Sequence, residues 1–407
     1  MKVVVAPDTF KESLGASEVA AALAEGVLAS CADARVDLVP MADGGEGTVA
    51  AMVAATGGKF LHADTFGPLG EPIRARFGML GGAGGAGLPG LLGLSGAMPA
   101  LRGETEDVAE GGTAVIEMAA ASGLTLVPAE RRDPLRTTTF GTGKLILAAL
   151  DAGAAEIIIG LGGSATCDGG AGCAQALGVK FRESGGADCV CGLAGGGLPS
   201  IDDIDMSARD PRLANVRIRI ACDVTNPLTG PDGSAAVYGP QKGATPEAVE
   251  RLDAALAHLA HVIRKKLNVD VEKMPGAGAA GGLAAGLVAF ADAKIERGAP
   301  LIAEAVRLRQ RLEAADLCIT GEGRLDRSSR FGKTTVSVAE IAAKAGVPVI
   351  CIPGQAGEDA PRELFAAVHT LVGDDVPPRL AIAQTAQLLK RRAAEAMTAF
   401  IARRLRG

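Results

Sequence analysis

The 407-residue sequence has no tryptophan, one tyrosine and ten phenylalanines. So few rings leave nothing for the stacking platforms that hold single-stranded nucleic acids. A net charge of −6 removes the broad positive field of non-specific nucleic-acid binding and leaves room only for local cationic pockets. The four histidines show no pairing with a nucleophile, and His258 and His261 read as surface positions on a helix. Eight cysteines are present without a Cys-x-x-Cys pair or a spaced histidine pair, so neither structural zinc nor a disulfide framework is expected. Cys222, Cys318 and Cys351 lie in apolar strand-like runs and read as small core residues. No stretch offers the roughly 18 uncharged apolar residues of a membrane span. Residues 81–101 come nearest, but glycine and proline saturate them. Val3–Ala6 runs straight into Pro7, Asp8 and Lys11, which is not a leader pattern. The expectation is a soluble, cytoplasmic protein.

What is abundant is small and aliphatic. Hydrophobic residues make up 48% and mean hydropathy is +0.25, enough core for two or three domains. The chain is organised around residues 156–173. Ile157, Ile158 and Ile159 form a β-branched run suited to a strand buried on both faces. The run then breaks into Gly162, Gly163, Ser164, Thr166, Asp168, Gly169, Gly170 and Gly172. Such a loop can present a concave row of N–H groups, and a short helix over 171–177 adds its N-terminus. Ser164 and Thr166 can donate to oxyanions. Asp168 can hold a cation, take a proton, or simply cap the helix.

Upstream, a strand at 2–6, a helix capped by Ser17, a strand at 36–39 and a helix to about 56 open a parallel β-α-β-α sheet. At Gly57–Gly58 the pattern changes to an antiparallel hairpin, 59–65 with 73–80, and then to a low-complexity surface loop at 81–105. Further strands are predicted at 113–118 and 216–222, and a long amphipathic helix at 247–266. From about 290 the rhythm returns: a helix over 300–312, a strand at 316–320, a helix from 333, strands at 347–352 and 369–372, and a terminal helix over 378–405. This predicts a discontinuous α/β domain, 1–58 plus 290–407, with a second α/β domain inserted at 59–289.

In open α/β sheets ligands sit at the carboxyl ends of strands. Asp8, Lys11, Asp43, Glu46, Glu322, Asp326 and Gln355 all follow predicted strands. Carboxylates, glycines and a few lysines in one cleft suit Mg²⁺ and phosphate chemistry, where catalysis is mostly positioning and charge neutralisation. The lysine candidates are Lys11, Lys242 in a rigid turn at 238–243, and Lys333 at a helix start. The Lys333 region is not a Walker A loop, because Arg327 stands where its first glycine belongs. Two G-x-G-x-x-G matches, at 82–87 and 276–281, lack a preceding strand, so dinucleotide binding is not expected. The run at 276–286 reads instead as closely packed backbone.

Six motifs then converge. Ala-Pro-Asp-x-Phe-Lys-x-Ser-Leu at 6–14, Ala-Asp-Gly-Gly-Glu-Gly-Thr at 42–48 and Gly-Leu-Gly-Gly-Ser-Ala-Thr-x-Asp-Gly-Gly at 160–170 resemble the bacterial glycerate kinase family. So do Cys-Asp-Val-x-Asn-Pro-Leu at 222–228, Tyr-Gly-Pro-Gln-Lys-Gly-Ala at 238–244, and Thr-Gly-Glu-Gly-Arg-Leu-Asp at 320–326 followed by Gly332-Lys333. The resemblance spans the chain. It implies ATP- and Mg²⁺-dependent phosphorylation of D-glycerate, usually at the 2-hydroxyl. It also implies a flavodoxin-like domain and a second α/β domain with the site in the cleft between them. On this reading Asp168 or Asp223 accepts the hydroxyl proton, and Lys11, Lys242 and Lys333 neutralise charge. Glu322 and Asp326, with Asp43, hold Mg²⁺. Ser13, Asp43, Gly44, Gly45, Glu46, Gly162, Gly163, Ser164, Thr166, Asn226 and Gly321 contact substrate or nucleotide. Partners are small molecules, not nucleic acid or membrane, and the protein is a monomer or homodimer. Alternatives are a 3-phosphoglycerate product, a related hydroxy acid, or a non-catalytic sensor. Arg327-Ser328-Ser329 departs from the family's usual Ser-Gln-Thr, and 81–105 is longer and richer in glycine than its usual hairpin.

Overall fold

Val3, Val4 and Val5 are fully buried, and the strand they form, Lys2–Val5, is the pivot of a five-stranded parallel sheet. In the computed structural model residues 1–81, 111–331, 333–373 and 376–405 are described, so the expected 81–105 loop lies outside them from residue 82 on. Arg35–Leu38 pairs on one side of the pivot and Leu317–Thr320 on the other, followed outward by Val349–Cys351 and Ala367–Val368. Counted along the chain within this sheet, the order is 2-1-3-4-5, the flavodoxin-like arrangement.

Between the second and third of these strands the chain builds a six-stranded sheet. Lys59–Phe66, Pro72–Met79 and Gly112–Glu117 pair antiparallel, and Ala154–Gly160, Arg217–Ala221 and Lys294–Glu296 continue it in parallel. Ile157, Ile158 and Ile159 are fully buried, as expected of a strand covered on both faces. Lys294–Glu296 still pairs with the second sheet, so we propose to end the inserted unit after Glu296. Helices Thr48–Thr56 and Gly298–Ala305 carry Met52 and Ile302 into one buried cluster that also takes Val4 from the first sheet and Val115 and Ile158 from the second. The two units therefore share a core, which fixes one against the other.

Four local expectations are revised. The 300–312 helix is two, Gly298–Ala305 and Leu308–Leu312, broken where Arg307 adopts φ +57°. The terminal helix is also two, Pro378–Ala383 and Thr385–Arg404. The last strand is Ala367–Val368, and residues 369–372 only trail beside 351–354. Helix Ala16–Ser30 is capped by Gly15, whose N–H donates to Glu18 Oε2 at 2.9 Å, with Ser17 inside the helix.

Candidate active site

The topological switch of a 2-1-3-4-5 sheet lies between its first and third strands, where the chain leaves in opposite lateral directions and opens a crevice. Asp8 and Glu322 follow those two strands, and the Asp8 N–H donates to the Gly321 carbonyl at 2.8 Å. Gly321 thus holds the exits side by side and brings the two carboxylates into each other's field. Burial, reinforced by Asp43, pushes Asp8 up to about 6. Burial, reinforced by Asp8, pushes Glu322 up to about 7 against the opposing pull of Ser329, Lys333 and Thr335. Glu322 Oε1 and the Thr334 and Thr335 hydroxyls are buried with no hydrogen bond of full geometry. Both threonines open helix Thr334–Lys344, whose free N–H groups and dipole favour an anion.

Lys333 caps this helix and donates to Ser328 Oγ at 2.6 Å. Ser328 in turn gives its N–H and Oγ–H to Asp326 Oδ1 at 2.9 and 2.5 Å, and Arg324 Nε approaches Oδ2 at 3.2 Å. Ser328, where the family usually has Gln, therefore links Asp326 to Lys333 directly. Each Asp326 oxygen thus has a partner within its own turn. The carboxylate whose charge acts on Glu322 at the switch is Asp8. Among the described residues no three His, Cys, Asp or Glu side chains cluster to cage a metal. A pair of carboxylates suits Mg²⁺ better, since it is usually completed by water and substrate phosphate.

The loop Asp43–Gly47 crosses from this crevice to the second sheet. Gly44 adopts φ +94°, and a side chain on it would meet Ala221 at 2.8 Å. Gly162 N–H reaches the Gly44 carbonyl at 3.4 Å. Glu117, at the end of a second-sheet strand, accepts the Val49 N–H at 2.8 Å and so caps helix Thr48–Thr56 of the first unit. Glu46 stands exposed near Glu117, and Asp43 Oδ1 accepts the Gly45 N–H at 3.0 Å.

Behind this loop is a cavity of about 330 Å³ lined by Asp43, Gly44, Gly45, Gly162, Gly163, Ser164, Asp223, Tyr238, Lys242 and neighbours. Asp223 opens on it. Its Oδ1 accepts the Gly298 N–H at 2.9 Å, leaving Oδ2 without a hydrogen bond among the described residues. Burial and the Asp43 charge raise its pKa above the ordinary 3.8, with the Gly298 N–H and Arg297 opposing. Lys242 forms the deep wall: it is 2% exposed, and Nζ donates to the Thr166 carbonyl at 2.6 Å. Burial pulls its pKa below the ordinary lysine value.

Asp168 lies behind the cavity, its charge reaching Lys242. It is fully buried and does not line the cavity; Oδ2 accepts from Thr139 N (2.8 Å), Thr139 Oγ1 (2.7 Å) and Gly172 N (3.3 Å), and Oδ1 from Gly170 N (3.1 Å). It clamps its own loop to Thr139; the N-cap of helix Ala171–Ala176 is Gly170, not Asp168. Ser13 donates to Thr385 Oγ1 at 2.6 Å, at the start of the C-terminal helix. Asn226 accepts from Tyr238 Oη at 2.7 Å and so orients a cavity residue from behind. Lys11 is exposed, and its charge reaches Asp8.

Sequence reasoning missed Gly298. A Cβ there would stand 2.0 Å from the Asp43 carbonyl and 3.2 Å from Asp223 Oδ2. Arg219 fixes this segment by pairing with Glu296 at 2.6 Å and Glu304 at 3.0 Å. Gly298→Ala should therefore displace Asp223 and lower kcat at least about tenfold, with circular dichroism unchanged. Wild-type turnover in this variant would dismiss the contact.

A profile of the glycerate kinase family matches residues 3–401. The glycerate 2-kinase of Escherichia coli K12 is 49% identical over 359 residues, 88% of this chain and 86% of that one. The glycerate kinase of Bacillus subtilis 168 is 45% identical over 396 residues, 97% and 96% of the two chains. The crystal structure of a proposed glycerate kinase 2 from Salmonella typhimurium LT2 superposes with a TM-score of 0.85 at 44% identity, covering 100% of this chain and 99% of its own. The motifs, the two-sheet architecture and the full-length similarity agree: this chain belongs to the glycerate kinase family.

Proposed function

We propose that this protein transfers the γ-phosphoryl group of ATP to the 2-hydroxyl of D-glycerate in the cleft between its two units. The observation that carries this reading is the row of carboxylates Glu322, Asp8, Asp43 and Asp223, each within the field of the next. It leads from an anion-favouring helix start to a cavity floored by a lysine. Glycerate occupies the 330 Å³ cavity, with its carboxylate toward Lys242 and the N–H groups of 162–164. The free Oδ2 of Asp223 takes the hydroxyl proton. Its raised pKa makes it a stronger base than an ordinary aspartate. The start of helix Thr334–Lys344, with Lys333, holds the phosphate chain. Asp8 and Glu322 would hold Mg²⁺, which when bound neutralises charge on the nucleotide phosphates. Ser13 and Asp168 have no part in the chemistry.

ADP release should require both D-glycerate and Mg²⁺. A coupled assay checks this: equal release without glycerate, or full activity in excess chelator, would refute the reading.

A further inference from the structure

A kinase must hold two substrates whose reacting ends meet, and the glycerate cavity alone leaves the nucleoside without a place. A second cavity of about 230 Å³ opens in the first unit at the carboxyl ends of strands Lys2–Val5 and Arg35–Leu38. Its walls are the loop at Asp8 and Thr9, the helix start Gly15–Glu18, Met41 and Ala42, and Ala50 and Ala51. Glu46 and Gly47 complete it, so the loop 43–47 separates the two cavities and contributes to both.

From this we propose that the 230 Å³ cavity is the subsite for the adenine and ribose of ATP. The assignment rests on the kinase reading above. The walls are mostly small and apolar, Ala16, Met41, Ala42, Ala50 and Ala51, as a flat heteroaromatic ring requires. The polar wall groups include three carboxylates, Asp8, Glu18 and Glu46, and no Lys, Arg or His lines the space. That chemistry repels a triphosphate or a glycerate anion and accepts hydrogen bonds from an exocyclic amine or from ribose hydroxyls. Asp8 belongs both to this wall and to the carboxylate pair at the switch, so a nucleoside seated here extends its phosphates toward the Mg²⁺ that pair would hold and the start of helix Thr334–Lys344.

Two substitutions invade the cavity from different helices, Ala50→Phe from helix Thr48–Thr56 and Ser17→Phe from helix Ala16–Ser30. Each should raise KM for ATP by about tenfold or more, the scale of losing a buried ring's contacts. KM for glycerate should stay within about twofold. Adenosine binding, measured by calorimetry on the wild-type protein, should weaken by a similar factor in the variants. Unchanged KM for ATP and unchanged adenosine binding in a folded variant would overturn the assignment, and if one variant fails to fold the other decides. Indifference between ATP and GTP would equally overturn it, because a carboxylate that accepts from the 6-amine of adenine meets a carbonyl oxygen at that position in guanine. Absence of glycerate-dependent ADP release in the wild type would instead sink the kinase reading itself.

Discussion

Asp223→Asn is expected to lose roughly 10²–10⁴-fold in kcat, the contribution of a positioned general base. The amide keeps the shape and can still accept the Gly298 N–H, so the fold and the KM values should change little. The wild-type kcat should show an acid limb above the pH near 4 of an ordinary aspartate, because burial and Asp43 raise the Asp223 pKa. Turnover falls as pH drops through that value, and the limb disappears in the variant. Asp168→Asn should behave in the opposite way. Its new NH₂ group must face an N–H or hydroxyl donor that now meets a carboxylate oxygen, which costs about 1–3 kcal/mol of stability. Tm should fall while kcat of the folded protein stays within a few-fold. Reversed results for the two aspartates would return Asp168 to the base role.

Glu322→Gln should lose about 10²–10³-fold in kcat, the usual cost of removing one preorganised charge stabiliser. Yet the free protein should become more stable at neutral and higher pH. A carboxyl whose native pKa exceeds its unfolded value binds its proton more tightly when folded. Its contribution is therefore fully present below the unfolded value near 4.5 and is lost as pH rises through about 7. Asp8, raised to about 6, adds to this loss over a lower range. Mg²⁺ with a non-hydrolysable ATP analogue should reverse it, raising Tm more at about pH 8 than at about pH 5. In Glu322→Gln most of that pH-dependent gain should vanish. A Mg²⁺ effect on Tm that is the same at both pH values in wild type and variant would place the metal elsewhere.

Much of this was legible in the chain. Val3–Val5, Ile157–Ile159 and Leu317–Thr320 are apolar runs that stop at glycine and charged residues, so the strands and their functional ends could be read together. Ala367–Val368 could not, since two residues carry no periodicity. The contacts behind our proposal of Asp223 over Asp168 as the base were equally hidden. Each aspartate follows a strand in a polar loop, and what separates them is the cover contributed by Thr139 to Asp168 and by Gly298 to Asp223. The pairing of Asp326 with Arg324 and Ser328 was not legible either, since the turn that brings them together leaves no periodic pattern. The need for glycine at 298 comes from the Asp43 carbonyl, far away in sequence, and no local pattern announces it.

Product analysis tests the central claim most directly. Incubating the protein with ATP, Mg²⁺ and D-glycerate and following the phosphorus–proton couplings by NMR reports which hydroxyl was phosphorylated. A single product with phosphorus coupled to the proton on C2, formed by the wild type and not by Asp223→Asn, is the predicted result. A product coupled to the C3 protons, or equal formation by both proteins, would contradict it.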